Sequence, residues 1–129
     1  MLISGILNPQ LNHLLCRIRH TNALVIADAA FPFWPQIETV DISLTRGVPT
    51  IIQVLDAILS NWKCGELFMA EEFKQCNDRK TRAAFQRACR GIKRTFEPHL
   101  DFKKRVPDAI GLIRTGDTTA YGNVILVSV

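Results

Sequence analysis

Nowhere in the chain does an apolar run approach the roughly 20 residues that a helix needs to cross a bilayer. A membrane-embedded role is therefore not expected. The start, Met1-Leu2-Ile3-Ser4-Gly5, has no basic region ahead of its apolar residues and no cleavage-like segment, which speaks against secretion and for a cytoplasmic protein. The four cysteines (Cys16, Cys64, Cys76, Cys89) form no C-x-x-C pair and fall on separate expected elements. Their spacing supports neither zinc ligation nor a disulfide framework, and buried free thiols in a reducing compartment are the expectation. Linkers, internal repeats and low-complexity segments are also missing. With 129 residues, 47% of them hydrophobic and 22% charged, the chain is expected to be one domain over 1–129 with a real core.

Basic residues are more plentiful than acidic ones, 16 against 12, giving a net charge of +4. They gather at Arg79, Lys80, Arg82, Arg87, Arg90, Lys93 and Arg94, and again at Lys103, Lys104 and Arg105. The first group lies largely on one expected helix, without interleaved exposed aromatics or a nucleic-acid-binding motif. A solvated helix face is the expectation, and nucleic acid is not an expected partner.

The centre of the pattern is Arg19-His20-Thr21-Asn22-Ala23-Leu24-Val25-Ile26-Ala27-Asp28. Ala23 to Ala27 is continuously apolar and contains Val and Ile, which predicts a strand covered on both faces. Asp28 ends it, and Phe31-Pro32-Phe33-Trp34-Pro35 follows as a loop. Ligands of open α/β sheets sit at the carboxyl ends of strands, so Asp28 is a candidate site residue as well as a candidate turn cap. His20 precedes the same strand by a turn. Eight steps of mostly extended chain place the two about 20–26 Å apart. If both are functional, the site is shared between subunits.

Around this strand the elements alternate. Asn8 and Pro9 open a helix, with Leu11, Leu14, Leu15 and Ile18 as its buried stripe. Glu38 to Leu44 reads as a strand with Val40, Ile42 and Leu44 on the inner face, and Thr50 to Asn61 as a second helix. Leu67 to Ala70 is a buried strand ending at Glu71-Glu72. A third helix starts at Asn77 or Asp78 and buries Ala84, Phe85, Ala88, Cys89 and Ile92. Lys93 to Phe96 adds a short strand, Pro98 to Lys104 a brief helix, and Ala109 to Arg114 and Asn123 to Val129 two further strands. Tyr121 and Asn123, two apart at a strand's entrance, are expected to point the same way and to suit hydroxyl groups. The string α-β-β-α-β-α-β-α-β-β predicts an α/β fold, a single three-layer domain with a mixed β-sheet and helices on both faces.

Four blocks resemble the family of D-ribose pyranase and L-fucose mutarotase, also described as ribose-transport accessory proteins. They are His20-Thr21 with the strand to Asp28-Ala29 and Pro32; Asp41 to Pro49 with Gln53-Val54-Leu55; Ala70-Glu71-Glu72; and Ile113-Arg114-Thr115-Gly116 with Ala120-Tyr121-Gly122-Asn123-Val124-Ile125-Leu126. In order and spacing they cover nearly the whole chain, and the setting of His99 and the Asp41 block lean toward the ribose branch. The resemblance implies an isomerase that interconverts ring forms of a free monosaccharide without metal or organic cofactor. It implies a ring-like homo-oligomer, a decamer among the counts it allows, with sites between subunits. By motif, His20 would be the general acid, and Asp28, His99, Tyr121, Gly122 and Asn123 would hold the sugar. Phe31 or Trp34 is a further candidate to lie against an apolar sugar face. Two positions depart from the family pattern. Arg19 stands where glycine is usual and is expected to take room and grip polar groups. Asn22 stands where aspartate is usual and removes a carboxylate near the imidazole. These departures keep open a non-catalytic sugar-binding or transport-accessory role.

Overall fold

The computed structural model describes residues 1–129. Helix α1 (Pro9–Leu15) starts where the sequence placed it, with the Asn8 side chain accepting the Leu11 N–H at 3.0 Å and Pro9 in the first turn. Strand β1 (Ala23–Ala27) follows, then β2 (Glu38–Asp41) and α2 (Ile51–Leu59). Thr50 and Gln53 close a reciprocal cap at the start of α2. The chain continues through β3 (Cys64–Ala70), α3 (Glu72–Cys76), α4 (Arg79–Ala88), β4 (Lys93–Glu97) and α5 (His99–Arg105). A 3-10 turn at Val106–Asp108 leads to β5 (Gly111–Arg114) and β6 (Val124–Ser128).

The six strands form one mixed sheet in the order β2-β5-β1-β6-β3-β4. Strand β6 runs antiparallel to both β1 and β3, while the other pairings are parallel. The carboxyl ends of five strands and the entrance of β6 therefore share one edge. Alternation along the strands divides the core. Leu24, Ile26, Leu67, Met69, Ile113, Val124 and Leu126 pack with buried side chains of α1, α2, α3 and α4. Val25, Ala27, Leu112 and Ile125 face the other way, onto Phe31, Ile37, Phe102, Val106 and Ala109. Helices cover both faces, giving the three layers that the element pattern implied.

Four details differ from the sequence expectations. Strand β2 stops at Asp41, because the Asp41 carboxylate accepts the Ser43 N–H at 2.9 Å and the Ser43 hydroxyl at 2.5 Å and so turns the chain. Leu44 is consequently 81% exposed instead of facing inward. Helix α3 begins directly after β3, where the sequence signalled only the end of a strand. Cys89 alone is a buried thiol, pushed up to about 11 by burial, whereas Cys16 and Cys76 are exposed. Phe31 is 5% exposed and packs edge-on against Phe102 in the core, so it is not a free sugar platform.

Candidate active site

The shared edge of the sheet gathers the polar residues that the sequence placed far apart. Asp28 leaves the end of β1 and meets Asn123, which enters β6, although 95 positions separate them. The fit is reciprocal: the Asp28 N–H donates to Asn123 Oδ1 at 2.7 Å, and Asn123 Nδ2 donates to Asp28 Oδ2 at 3.0 Å. Asp28 Oδ1 accepts the Ala30 N–H at 2.9 Å, so the carboxylate also caps its own turn. Both roles open in the sequence coexist, and each oxygen retains acceptor capacity for a ligand hydroxyl. Beside it lies a cleft of about 430 Å³ lined by Asp28, Ala29, Arg46, Thr118, Thr119 and Ala120.

His99 and Tyr121 form the adjoining pair, their rings edge-on with centroids 5.0 Å apart. The His99 ring also stacks near Phe102 at 6.0 Å. Glu72 fixes the start of α5, its two carboxylate oxygens accepting the His99 N–H at 3.0 and 3.2 Å. This gives the acidic end of β3 a use, since Pro98 supplies no cap to α5. Burial, followed by the Lys103 charge, holds His99 below its usual imidazole range, against the opposing pull of Glu72 and Asp28. The His99 Nδ1 is buried without a partner. An unpaired acceptor costs less than an unpaired N–H, so we assign the neutral tautomer with its proton on Nε2, a donor for a hydroxyl oxygen.

Tyr121 reaches this position by a different route from the one expected. It precedes β6 in a turn with φ of 54°, so strand alternation does not align it with Asn123. Gly122 is buried against Phe85 and Thr119, where an added Cβ would lie 3.2 Å from each. It lets the tyrosine turn sit flat on α4.

Three supporting residues carried no clear functional signal in the sequence. Arg114, at the end of β5, donates to the carbonyls of Phe31 at 2.6 Å and Ala29 at 3.2 Å, with longer contacts to Asp28 and Pro32. Its guanidinium holds the whole loop after β1. Asp117 is 5% exposed; its carboxylate accepts the Ile51 and Thr119 N–H groups, each at 2.7 Å, and its carbonyl accepts the Ala29 N–H at 2.9 Å. Gly116 passes so close to Thr45 and Val48 that a Cβ would stand 2.3 Å from both carbonyl oxygens.

His20 is absent from this cluster. It is exposed in the turn before β1, at the opposite edge of the sheet. Next to it, the Thr21 N–H donates to Ser128 O at 3.0 Å, at the exit of β6, whereas Asn123 stands at the entrance. The five steps of β6 span roughly 17 Å. The 19–22 segment itself is turned and not extended, with φ of 67° at Thr21. That segment is closed by Asn22, whose Oδ1 accepts the Arg19 N–H at 2.8 Å and whose N–H donates to Arg19 O at 3.0 Å. Arg19 does not extend toward a ligand. Its guanidinium folds back onto the carbonyls of Cys16 at 2.5 Å and Ile18 at 3.0 Å, at the C-terminal end of α1. The two unusual residues thus shape the turn that carries His20.

A family model, the RbsD / FucU transport protein family, matches residues 1–129. The chain belongs to that family. Among curated RbsD / FucU relatives, D-ribose pyranase of Chromobacterium violaceum is 40% identical over 124 residues, covering 96% of this chain and 94% of the relative. D-ribose pyranase of Geobacillus kaustophilus is 38% identical, covering 97% of this chain and 91% of its own length. The structure of Bacillus subtilis RbsD complexed with D-ribose superposes with a TM-score of 0.91 at 30% identity, over 99% of this chain and 97% of that one. The fucose mutarotase of Streptococcus pneumoniae in complex with L-fucose shares the fold, with a TM-score of 0.79 at 23% identity over 94% and 91% of the two chains. The RbsD / FucU resemblance carried by the four sequence blocks therefore stands. No helix of this chain is long and apolar enough to cross a membrane.

Proposed function

We propose that this protein is a cofactor-independent isomerase of the cytoplasm that interconverts ring forms of a free monosaccharide such as D-ribose or L-fucose. The observation that carries the proposal is the division of the polar groups. Asp28, His99, Tyr121 and Asn123 converge at one sheet edge, and the proton-donating histidine of the family motif stands at the other. In a ring-like homo-oligomer, a decamer being one such assembly, His20 of one subunit meets that cluster on its neighbour. The relatives named D-ribose pyranase and the RbsD complex with D-ribose support a small sugar as the substrate.

A cyclic sugar is a hemiacetal. Opening it removes the proton of the anomeric hydroxyl, breaks the bond from the anomeric carbon to the ring oxygen, and delivers a proton to that oxygen. Closure by another hydroxyl changes ring size, and closure onto the other carbonyl face changes the anomer. Nothing is oxidised and no covalent intermediate with the protein forms. One positioned acid and one acceptor suffice, worth about 10²–10⁴-fold together. Histidine suits the acid because imidazole changes protonation near neutral pH. Asp28 receives the hydroxyl proton, the Nε2–H of neutral His99 directs a hydroxyl oxygen, Tyr121 and Asn123 fix hydroxyls, and Gly122 keeps the tyrosine turn close.

Saturation-transfer NMR on pentoses and 6-deoxyhexoses tests the proposal. Faster exchange of saturation between ring forms with protein present is the expected result. Line broadening without exchange would establish the non-catalytic sugar-binding role instead.

A further inference from the structure

We infer that a second ligand site, for a small phosphate-monoester anion, lies in a groove between α3, α4 and β4. The groove measures about 440 Å³ and draws its cations from three elements: Lys74 on α3, Arg79 and Arg82 on α4, and Arg94 on β4. None of its lining residues belongs to the sugar site. Arg79, Arg82 and Gln86 follow one another at i, i+3 and i+7, so one face of α4 points into it. Arg94 and Phe96, two apart on β4, supply the facing wall.

What sets this groove apart is that its cations come from three elements and face one concavity. No carboxylate lines the groove, and of its four cations only Lys74 has a carboxylate partner, Glu71 at 3.2 Å. Like charges held in a concavity repel, so the arrangement is paid for in stability unless an anion relieves it. The Phe96 ring fixes two of the cations, with Lys74 Nζ 4.0 Å and the Arg94 guanidinium 5.7 Å from its centroid. The site is thus partly assembled before any ligand arrives.

Three guanidinium forks and an ammonium match the oxygens of a phosphate better than a single carboxylate, which would leave most of the positive charge uncompensated. A phosphate monoester is largely dianionic at neutral pH, with a second pKa of about 6. The volume falls within the range of roughly 300–1,000 Å³ typical of small-ligand pockets. An extended polyanion would need a longer basic track with exposed stacking aromatics, and Phe96 is already covered by its cations. A phosphorylated monosaccharide is the size of ligand that fits.

Isothermal titration calorimetry of the full oligomer with inorganic phosphate, a pentose 5-phosphate and the free pentose tests this. Both phosphates should give saturable isotherms that weaken with added salt, and saturating free pentose should leave them unchanged. R79Q and R82Q, whose side chains are exposed, should each weaken phosphate binding about tenfold while circular dichroism and sugar exchange stay as in the parent. Absence of a saturable isotherm, equal affinity in R82Q, or loss of phosphate binding when free pentose is present would each overturn the inference.

Discussion

Replacing Asn123 with alanine removes both bonds that tie the end of β1 to the start of β6. Asn123 is 3% exposed, so water does not readily take the place of its side chain. The bond accepted from the Asp28 N–H is neutral and is worth about 1 kcal/mol, while the bond donated to the Asp28 carboxylate is charge-assisted and is worth about 2 kcal/mol. A loss near 3 kcal/mol is expected, equivalent to a fall of about 1.5 M in the urea midpoint for a slope near 2 kcal/mol per M. Urea unfolding at fixed protomer concentration measures it, because assembly otherwise shifts the midpoint. N123D keeps the shape but sets a second carboxylate against Asp28 Oδ2, where the amide now stands at 3.0 Å. Two such groups cannot both ionise freely, and the pair's upper pKa rises above its unfolded value. A raised carboxyl pKa stabilises the fold at low pH, and that contribution is lost as pH rises through the folded value. N123D should therefore approach the parent near pH 4 and fall away toward pH 7. A loss below about 1 kcal/mol in N123A, or a flat pH profile in N123D, would refute the reasoning.

G116A should cost about 2–3 kcal/mol, since its methyl group would meet two backbone carbonyls that cannot swing aside; thermal or urea unfolding checks it. His99 is held below its usual range, so its neutral form is favoured in the fold. Its contribution to stability is present above the unfolded imidazole value of about 6.5 and is lost as pH falls through the lower folded value. Between pH 7 and pH 5 the parent's urea midpoint should accordingly drop more than that of H99Q. R114K replaces a planar fork that reaches several carbonyls with a single ammonium, and limited proteolysis in the Asp28–Pro35 loop should quicken several-fold.

Much of this architecture was legible because its signals are local. The unbroken run Ala23–Ala27 and the cap at Asn8-Pro9 each act within a few residues, and each element begins where its signal lies. The edge cluster was reached partly by motif and partly by the rule that ligands lie at carboxyl ends of strands. What escaped depends on distant partners. Arg114 reads as one more cation until four carbonyls more than 80 positions away surround it, and Asp117 reads as a turn residue until the Ile51 N–H meets it. Period-two alternation carried β2 too far, since Asp41 can satisfy its own downstream backbone and end the strand. It also aligned Tyr121 with Asn123 at the strand's entrance, although a left-handed residue stands there. Helix α3 spans only Glu72–Cys76, too short for a hydrophobic period to register.

The central claim is that one subunit supplies His20 and its neighbour supplies the Asp28 cluster, and a mixing experiment tests it directly. H20A and D28A proteins, each inactive alone, are dissociated together, reassembled at equal ratio and assayed for sugar exchange. Random assembly of shared sites should restore about a quarter of the parent rate, because that fraction of seams pairs an intact His20 with an intact Asp28. No recovery from a properly reassembled mixture, or full exchange by H20A alone, would contradict the account.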